Sequence, residues 1–128
     1  MTHWNNLDTL ATYKELQQST PVDVKDVMSG ENGAKRVKNY QVPMAAGFVF
    51  NYAARPVDDD ILKALVVFAN EAQLADKFEE LYNGAVINTG ENRLVLHHLT
   101  RGQLGKDVIA DGVNKRDFYV EQQKRIAD

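Results

Sequence analysis

Between Asn83 and Arg101 the chain must stop one helix, turn, and start another within a few residues. The stretch reads NGAVINTGENRLVLHHLTR. Asn83-Gly84 is a helix stop, because glycine takes the left-handed conformation that ends helices at little cost. Asn88-Thr89-Gly90-Glu91 predicts the next start: Asn88 or Thr89 accepts from the first free amides, and Glu91 complements the positive end of the dipole. Arg93, His97, His98 and Arg101 then fall along a short predicted helix with Leu94, Val95, Leu96 and Leu99. No other window interleaves polar and large apolar residues so densely.

The elements on either side are predicted mainly helical. Trp4 to Gln18 reads as one helix, with Leu7, Leu10, Ala11 and Trp4 on its apolar stripe and Asn5 or Asn6 as cap. Thr20-Pro21 restarts a helix that runs to Ser29, with Asp23 as the capping-box acid; Gly30 ends it and Glu31-Asn32-Gly33 turns. From Val37 to Tyr52 the period changes to two. Tyr40, Val42 and Met44 alternate, then Phe48, Phe50 and Tyr52, which predicts a small β-hairpin with Pro43 at an edge. The basic cluster Lys35-Arg36-Lys38 reads as a solvated edge that discourages strand pairing.

Asp58-Asp59-Asp60 opens a helix whose stripe is Ile61, Leu62, Leu65, Phe68, Ala69 and Ala72, widened by Val66 and Val67. That width predicts one of the most buried elements. Successive helical residues point about 100° apart, so the three carboxylates do not converge on one cation. A second helix follows from Leu74 to Tyr82, after a bend near Gln73. Beyond Arg101, Gly102-Gln103-Leu104-Gly105-Lys106 lacks the full phosphate-loop pattern and reads as a plain loop. Asp111-Gly112 is a turn, and Val113 to Asp128 is a helix whose last residues read as mid-helix sequence.

Composition narrows the function. A chain of 128 residues with 44% hydrophobic residues has enough apolar material for a folded domain. A net charge of −3 gives no basic surface for nucleic acid. The absence of cysteine removes disulfides and thiolate metal sites. The longest apolar run, Ala64 to Ala69, is too short to span a bilayer, and the N-terminus has no signal-peptide pattern, so the expectation is a soluble, cytoplasmic protein.

Chemistry is sparse. His97 and His98 are adjacent and diverge on a helix, and the H-x-x-x-H spacing of a zinc site is missing. The two serines, Ser19 and Ser29, lie in no nucleophile-elbow pattern. The default is a hydrogen-bonded structural histidine in a half-buried helix. Arg93 and Arg101, eight apart, suit a polar seam between packed segments.

The window Gly84 to Arg101 resembles the N-terminal family segment of the glucose-6-phosphate isomerases. That segment runs, in outline, G-x-x-[IV]-N-x-[TS]-E-x-R-x-V-L-H-x-x-x-R, and Gly84, Ile87, Asn88, Glu91, Arg93, Val95, Leu96, His97 and Arg101 follow it. Asn51-Tyr52-Ala53 is similar to the family's D-Y-S segment. His97 to Val108 resembles a bacterial subgroup, and the resemblance extends over nearly the whole chain. Gly90 departs from the usual Thr or Ser, Asn51 stands for an acid, and the family's G-I-G-G-S segment is missing.

The resemblance implies a mainly α segment with a small β-hairpin, residues 1–128 forming a single N-terminal part of a larger α/β sugar-isomerase-type enzyme whose α/β subdomains are absent here. It implies an aldose–ketose isomerase of glycolysis and gluconeogenesis that interconverts glucose 6-phosphate and fructose 6-phosphate. It further implies no metal or other cofactor, a sugar phosphate substrate, and a cytoplasmic homodimer. The catalytic and substrate-binding groups lie beyond the matched part, so the resemblance assigns none of them here and the chain alone is expected to be inactive. Asn88, Glu91, Arg93, His97 and Arg101 enter as structural motif residues. The alternative is a stand-alone helical interaction module; a small His97-dependent enzyme is a third reading.

Overall fold

The computed structural model describes residues 2–102 and 105–127. The chain divides into two compact units, Asn5–Ala72 and Met1–Trp4 with Gln73–Asp128. Helices dominate both, and among the described residues the strands form three separate antiparallel pairs. No helix among the described residues is long and apolar enough to cross a membrane.

In the first unit the helix predicted over Trp4 to Gln18 is broken. Leu7–Thr9 forms one 3-10 turn, Leu10 is extended, and α1 occupies only Ala11–Gln18. The cause lies elsewhere in the chain. Leu10 offers no side-chain cap, and the carboxylate of Glu71 fills that role. It accepts from the backbone amides of Ala11 (3.1 Å) and Thr12 (3.0 Å) and from the Thr12 hydroxyl. Tyr13 and Phe68 bring the same two helices together, with ring centroids 6.1 Å apart.

The restart comes later than Thr20. Asp23 caps α2 (Val24–Val27) by accepting from the amides of Lys25 and Asp26. Gly30 then opens α3 (Gly30–Asn39), where a turn was expected. Gly33 sits inside α3 because a side chain there has no room: a Cβ would stand 2.2 Å from the Met28 carbonyl oxygen. Sequence offers no way to tell that close approach from a turn.

The predicted hairpin is present. β1 (Gln41–Pro43) pairs with β2 (Val49–Asn51), in the register Gln41 to Asn51, Val42 to Phe50 and Pro43 to Val49. The basic cluster before it lies on α3 and forms no strand edge. Lys35 and Lys38 are exposed, but Arg36 is only 8% exposed. Its guanidinium donates from Nε to the Ala53 carbonyl (2.7 Å) and from Nη2 to the carbonyls of Arg55 (3.0 Å) and Val57 (2.5 Å). It also lies 4.0 Å from the centre of the Tyr40 ring. One side chain thus fastens the segment between the hairpin and the next helix.

That helix, α4 (Asp59–Glu71), starts as predicted, with Asp58 accepting from the Ile61 amide at 2.8 Å. It is not a buried element. Leu65, Val66 and Val67 are exposed, and the buried apolar residues of the unit are Ala53 and Ala72. The apolar stripe is as wide as its sequence demands, but within the unit α1 covers only part of it.

The second unit begins at the predicted bend, where Gln73 is left-handed (φ 53). α5 (Leu74–Tyr82) follows, with Leu74 and Phe78 exposed. Residues 2–4 lie along it. The Thr2 hydroxyl donates to Glu80, the His3 amide donates to Gln73 Oε1 (2.8 Å), and the Lys77 ammonium lies 5.0 Å from the Trp4 ring centre. Trp4 is therefore an exposed ring under a lysine, not the helix-packing residue expected.

Asn83-Gly84 ends α5 as predicted. Gly84 is left-handed (φ 81), and a Cβ would stand 2.3 Å from Val108 Cγ1. β3 (Val86–Asn88) pairs with β4 (Arg93–Leu94), and β5 (Ile109–Ala110) with β6 (Val113–Asn114) through a tight turn at Asp111-Gly112, both with positive φ. α6 (Lys115–Ala127) packs against the 3-10 helix His97–Arg101. The core is Leu96, Leu99 and Val108, with Leu94 and Tyr119 against it.

Candidate functional site

The polar window expected to start a helix forms a hairpin instead. Asn88 Oδ1 accepts from the Glu91 amide at 3.2 Å, and Asn88 Nδ2 donates to Glu91 Oε2 at 3.3 Å. The Asn88 side chain thus takes the amide three residues on, as a helix cap does, but no helix follows, and Glu91 answers the Asn88 side-chain amide instead of its backbone N–H. Asn92 is left-handed (φ 52) and folds the chain back, so that Arg93 lies opposite Asn88 and Leu94 opposite Val86. Leu94 and Leu96 then turn toward the core with the period of a strand. Only at His97 does the backbone coil, as a single 3-10 segment with no side-chain cap.

The five motif residues do not converge. Asn88, Glu91 and Arg93 share one exposed cluster, in which Arg93 Nη1 lies 3.5 Å from Glu91 Oε2 with both side chains largely in solvent. An exposed pair of this kind contributes little. His97 and Arg101 are exposed, and among the described residues neither side chain has a hydrogen-bond or ion-pair partner. The His97 carbonyl accepts from the Thr100 hydroxyl (2.8 Å). A hollow of ≈ 470 Å³ in this unit is lined by Thr2, Gln73, Asp76, Glu79, Glu80 and neighbours, and contains none of the five. No group of three His, Asp or Glu among the described residues is placed to hold a metal ion.

The structural histidine is His98. Its ring stacks on Tyr82 (centroids 4.3 Å apart, planes 27°), and Nε2 lies 3.0 Å from the Tyr82 carbonyl oxygen. The same carbonyl accepts from Arg116 Nη2 at 3.4 Å. Arg116, 5% exposed, also donates from Nε to the Lys106 carbonyl, and its Nη1 is buried with no partner among the described residues. Asn114 completes the junction: its Oδ1 accepts from the amides of Val108 (3.4 Å) and Arg116 (3.2 Å), which starts α6 beside β5. The phosphate-loop reading of Gly102 to Lys106 includes positions 103 and 104, which lie outside the described residues.

Sequence reasoning passed over both buried arginines. Arg36 was one of three neighbouring cations, and Arg116 was an ordinary residue in a polar helix. Their common signal is spatial: each donates to backbone carbonyls in a distant loop.

This arrangement has the character of a folded junction, in which His98, Asn114 and Arg116 bond to backbone groups of neighbouring segments. A family model described as phosphoglucose isomerase matches residues 51–127. The chain belongs to the phosphoglucose isomerase family. It is 49% identical over 130 residues to a glucose-6-phosphate isomerase of Treponema denticola, covering 98% of this chain and 25% of that protein. The corresponding enzyme of Borreliella afzelii is 39% identical over 128 residues, with 98% of this chain and 23% of the relative covered. That of Shewanella woodyi is 31% identical over 128 residues, with 100% and 23% covered. The chain thus spans about a quarter of the length of the curated relatives it matches. The phosphoglucose isomerase match begins at the last residue of β2 and takes in α4, α5, the polar hairpin and α6.

Proposed function

We propose that this chain is the N-terminal packing segment of a glucose-6-phosphate isomerase. The whole enzyme interconverts glucose 6-phosphate and fructose 6-phosphate by opening the sugar ring and moving a proton between C1 and C2. In this reading it works in the cytoplasm as a homodimer, without a metal or other cofactor. The reacting groups belong to α/β subdomains that this chain does not span, and residues 1–128 act as one segment packed against them. Asn88, Glu91, Arg93, His97 and Arg101 then serve structure and docking.

One observation carries the reading: similarity to isomerases extends over 98% of this chain but only about a quarter of the relatives. The five motif residues add support, since all are exposed and His97 and Arg101 stand apart from the Asn88–Glu91–Arg93 cluster, where a catalytic set converges. The same similarity disfavours a stand-alone interaction module.

The test is an assay of the purified chain with fructose 6-phosphate, coupled to a glucose-6-phosphate dehydrogenase. The expected result is no turnover above the blank. Turnover at about 1 s⁻¹ or faster, in the ordinary range of enzymes, would place the reacting groups in this chain and overturn the proposal. Loss of such turnover in His97→Ala would support a small histidine-dependent enzyme instead.

A further inference from the structure

The first unit carries an apolar groove that its own residues leave open. One wall is the face of the hairpin bearing Val42 and Phe50, which are Cα partners and so point the same way. The other wall is α4 through Leu62 and Leu65, and Tyr52, Arg55 and Val57 complete the lining. The groove has a volume of ≈ 350 Å³. Leu62 also lines a second hollow of ≈ 410 Å³ with Val66 and Val67, so the two adjoin along α4. Phe50 is 52% exposed and Val66 60%. Contiguous apolar surface of this kind marks a contact site.

Resting on the reading above, we propose that this groove seats the remainder of the phosphoglucose isomerase polypeptide, through a helix or strand laid between the hairpin and α4. The relatives are about four times the length of this chain, so the family supplies a large partner in the same polypeptide. A second copy of this chain is the poorer occupant. A two-fold pair sets each patch against itself. Two concave faces opposed in that way enclose unfilled volume, which interiors avoid. A single apolar element inserted between the walls fills the groove, as in helix-in-groove recognition.

The chain has no cysteine, so Phe50→Cys and Val66→Cys each introduce a thiol at a known place. Each variant is prepared as the 128-residue chain and as a chimera in which it replaces the matching quarter of the Treponema denticola glucose-6-phosphate isomerase. Maleimide labelling is then read at each introduced thiol by peptide mapping. The expected result is labelling of the isolated chain near the unfolded rate, slowed ~100-fold or more in the chimera, with the chimera isomerising fructose 6-phosphate. An active chimera whose two thiols react as fast as in the isolated chain overturns the docking proposal and leaves the functional reading standing. An inactive chimera overturns the functional reading, and this proposal with it. Protection in the isolated chain overturns the proposal too: a second copy is the occupant if the chain sediments as a dimer, its own residues if as a monomer. Val66→Asp is an independent check. It is expected to leave the melting temperature of the isolated chain unchanged and to lower that of the chimera by ~5 °C or more. An equal effect, or none, in both overturns the proposal.

Discussion

Replacing Arg36 with methionine removes the guanidinium but keeps most of the side-chain length. The carbonyl of Ala53, a residue 1% exposed, loses its donor and has no water to replace it, which costs about 2 kcal/mol. The carbonyls of Arg55 and Val57 belong to residues that are not fully buried and recover water, so each loss is about 0.5–1 kcal/mol. Loss of the stacking on Tyr40 adds about 0.5–1 kcal/mol. Methionine escapes the desolvation of a cation, which returns roughly 1 kcal/mol. The net expectation is a destabilisation of the first unit by about 3 kcal/mol.

The single tryptophan, Trp4, sits in the second unit, so its fluorescence is the wrong probe for this change. Urea denaturation followed by far-ultraviolet circular dichroism, with amide exchange read over residues 53–71, isolates the first unit. With an m value of about 1.5–2 kcal/mol/M, the midpoint falls by about 1.5–2 M. Arg36→Lys keeps the charge but loses the planar fork that serves three carbonyls, and is expected to recover less than half of the loss. A methionine variant within about 0.5 kcal/mol of the parent refutes the reasoning, since a cost that small is ordinary for a surface substitution. A lysine variant with full stability refutes the geometric part alone.

Gly84→Ala forces a Cβ onto Val108 at a left-handed residue and is expected to cost about 2–4 kcal/mol in thermal or urea denaturation. Gly112→Ala, also left-handed but in open space, should cost only about 1 kcal/mol. The Thr12 hydroxyl and the amides beside it hold the Glu71 carboxyl below its ordinary value. Its contribution is therefore complete above the unfolded pKa and lost as pH falls through the lower folded value; protection of the Ala11 and Thr12 amides, taken relative to the intrinsic exchange rate at each pH, should fall over that window in the parent and stay level in Glu71→Gln. His98→Ala removes a stacked, hydrogen-bonded ring and is expected to cost about 1–2 kcal/mol, whereas His97→Ala stays within about 0.5 kcal/mol by the same denaturation measurement.

Where local chemistry decides the backbone, the sequence is readable. Asp58 capping α4, the break at Gln73, the stop at Asn83-Gly84, the turn at Asp111-Gly112 and the hairpin of alternating Val42 and Phe50 all follow from residues within a few positions of the event. Distant residues decide the elements that were misread. α1 starts where Glu71 meets it, sixty residues away, and no scan of Trp4 to Gln18 contains that carboxylate. The Asn88–Glu91 pair is a correct local reading with the wrong continuation. The bond from the Glu91 amide to Asn88 Oδ1 forms, but burial of Leu94 and Leu96 on one side of the chain selects a strand after it. His97 and His98 are indistinguishable in sequence, and only the position of Tyr82 makes His98 the structural one.

The two buried arginines bear on why the apolar stripe of α4 lies open. In each unit a guanidinium bonds to backbone carbonyls, and no carboxylate neutralises it among the described residues. Burying a cation costs several kcal/mol, which carbonyl dipoles offset only in part. Such a tie suits a unit that lacks apolar mass to order its loops by packing. The first unit has only Ala53 and Ala72 buried among its apolar residues, although α4 and the hairpin carry ample Val, Leu and Phe. Apolar residues are therefore present in number and left without partners. Arg36 positions the segment from Ala53 to Val57 that joins the hairpin to α4, and these are the two walls of the groove. Arg55 and Val57, whose carbonyls the arginine bonds, themselves line the groove, so Arg36→Met should weaken docking of the remaining polypeptide as well as stability. In the chimera, its effect on melting should then exceed that in the isolated chain. An effect confined to the isolated chain would show that the walls find their positions from the partner alone.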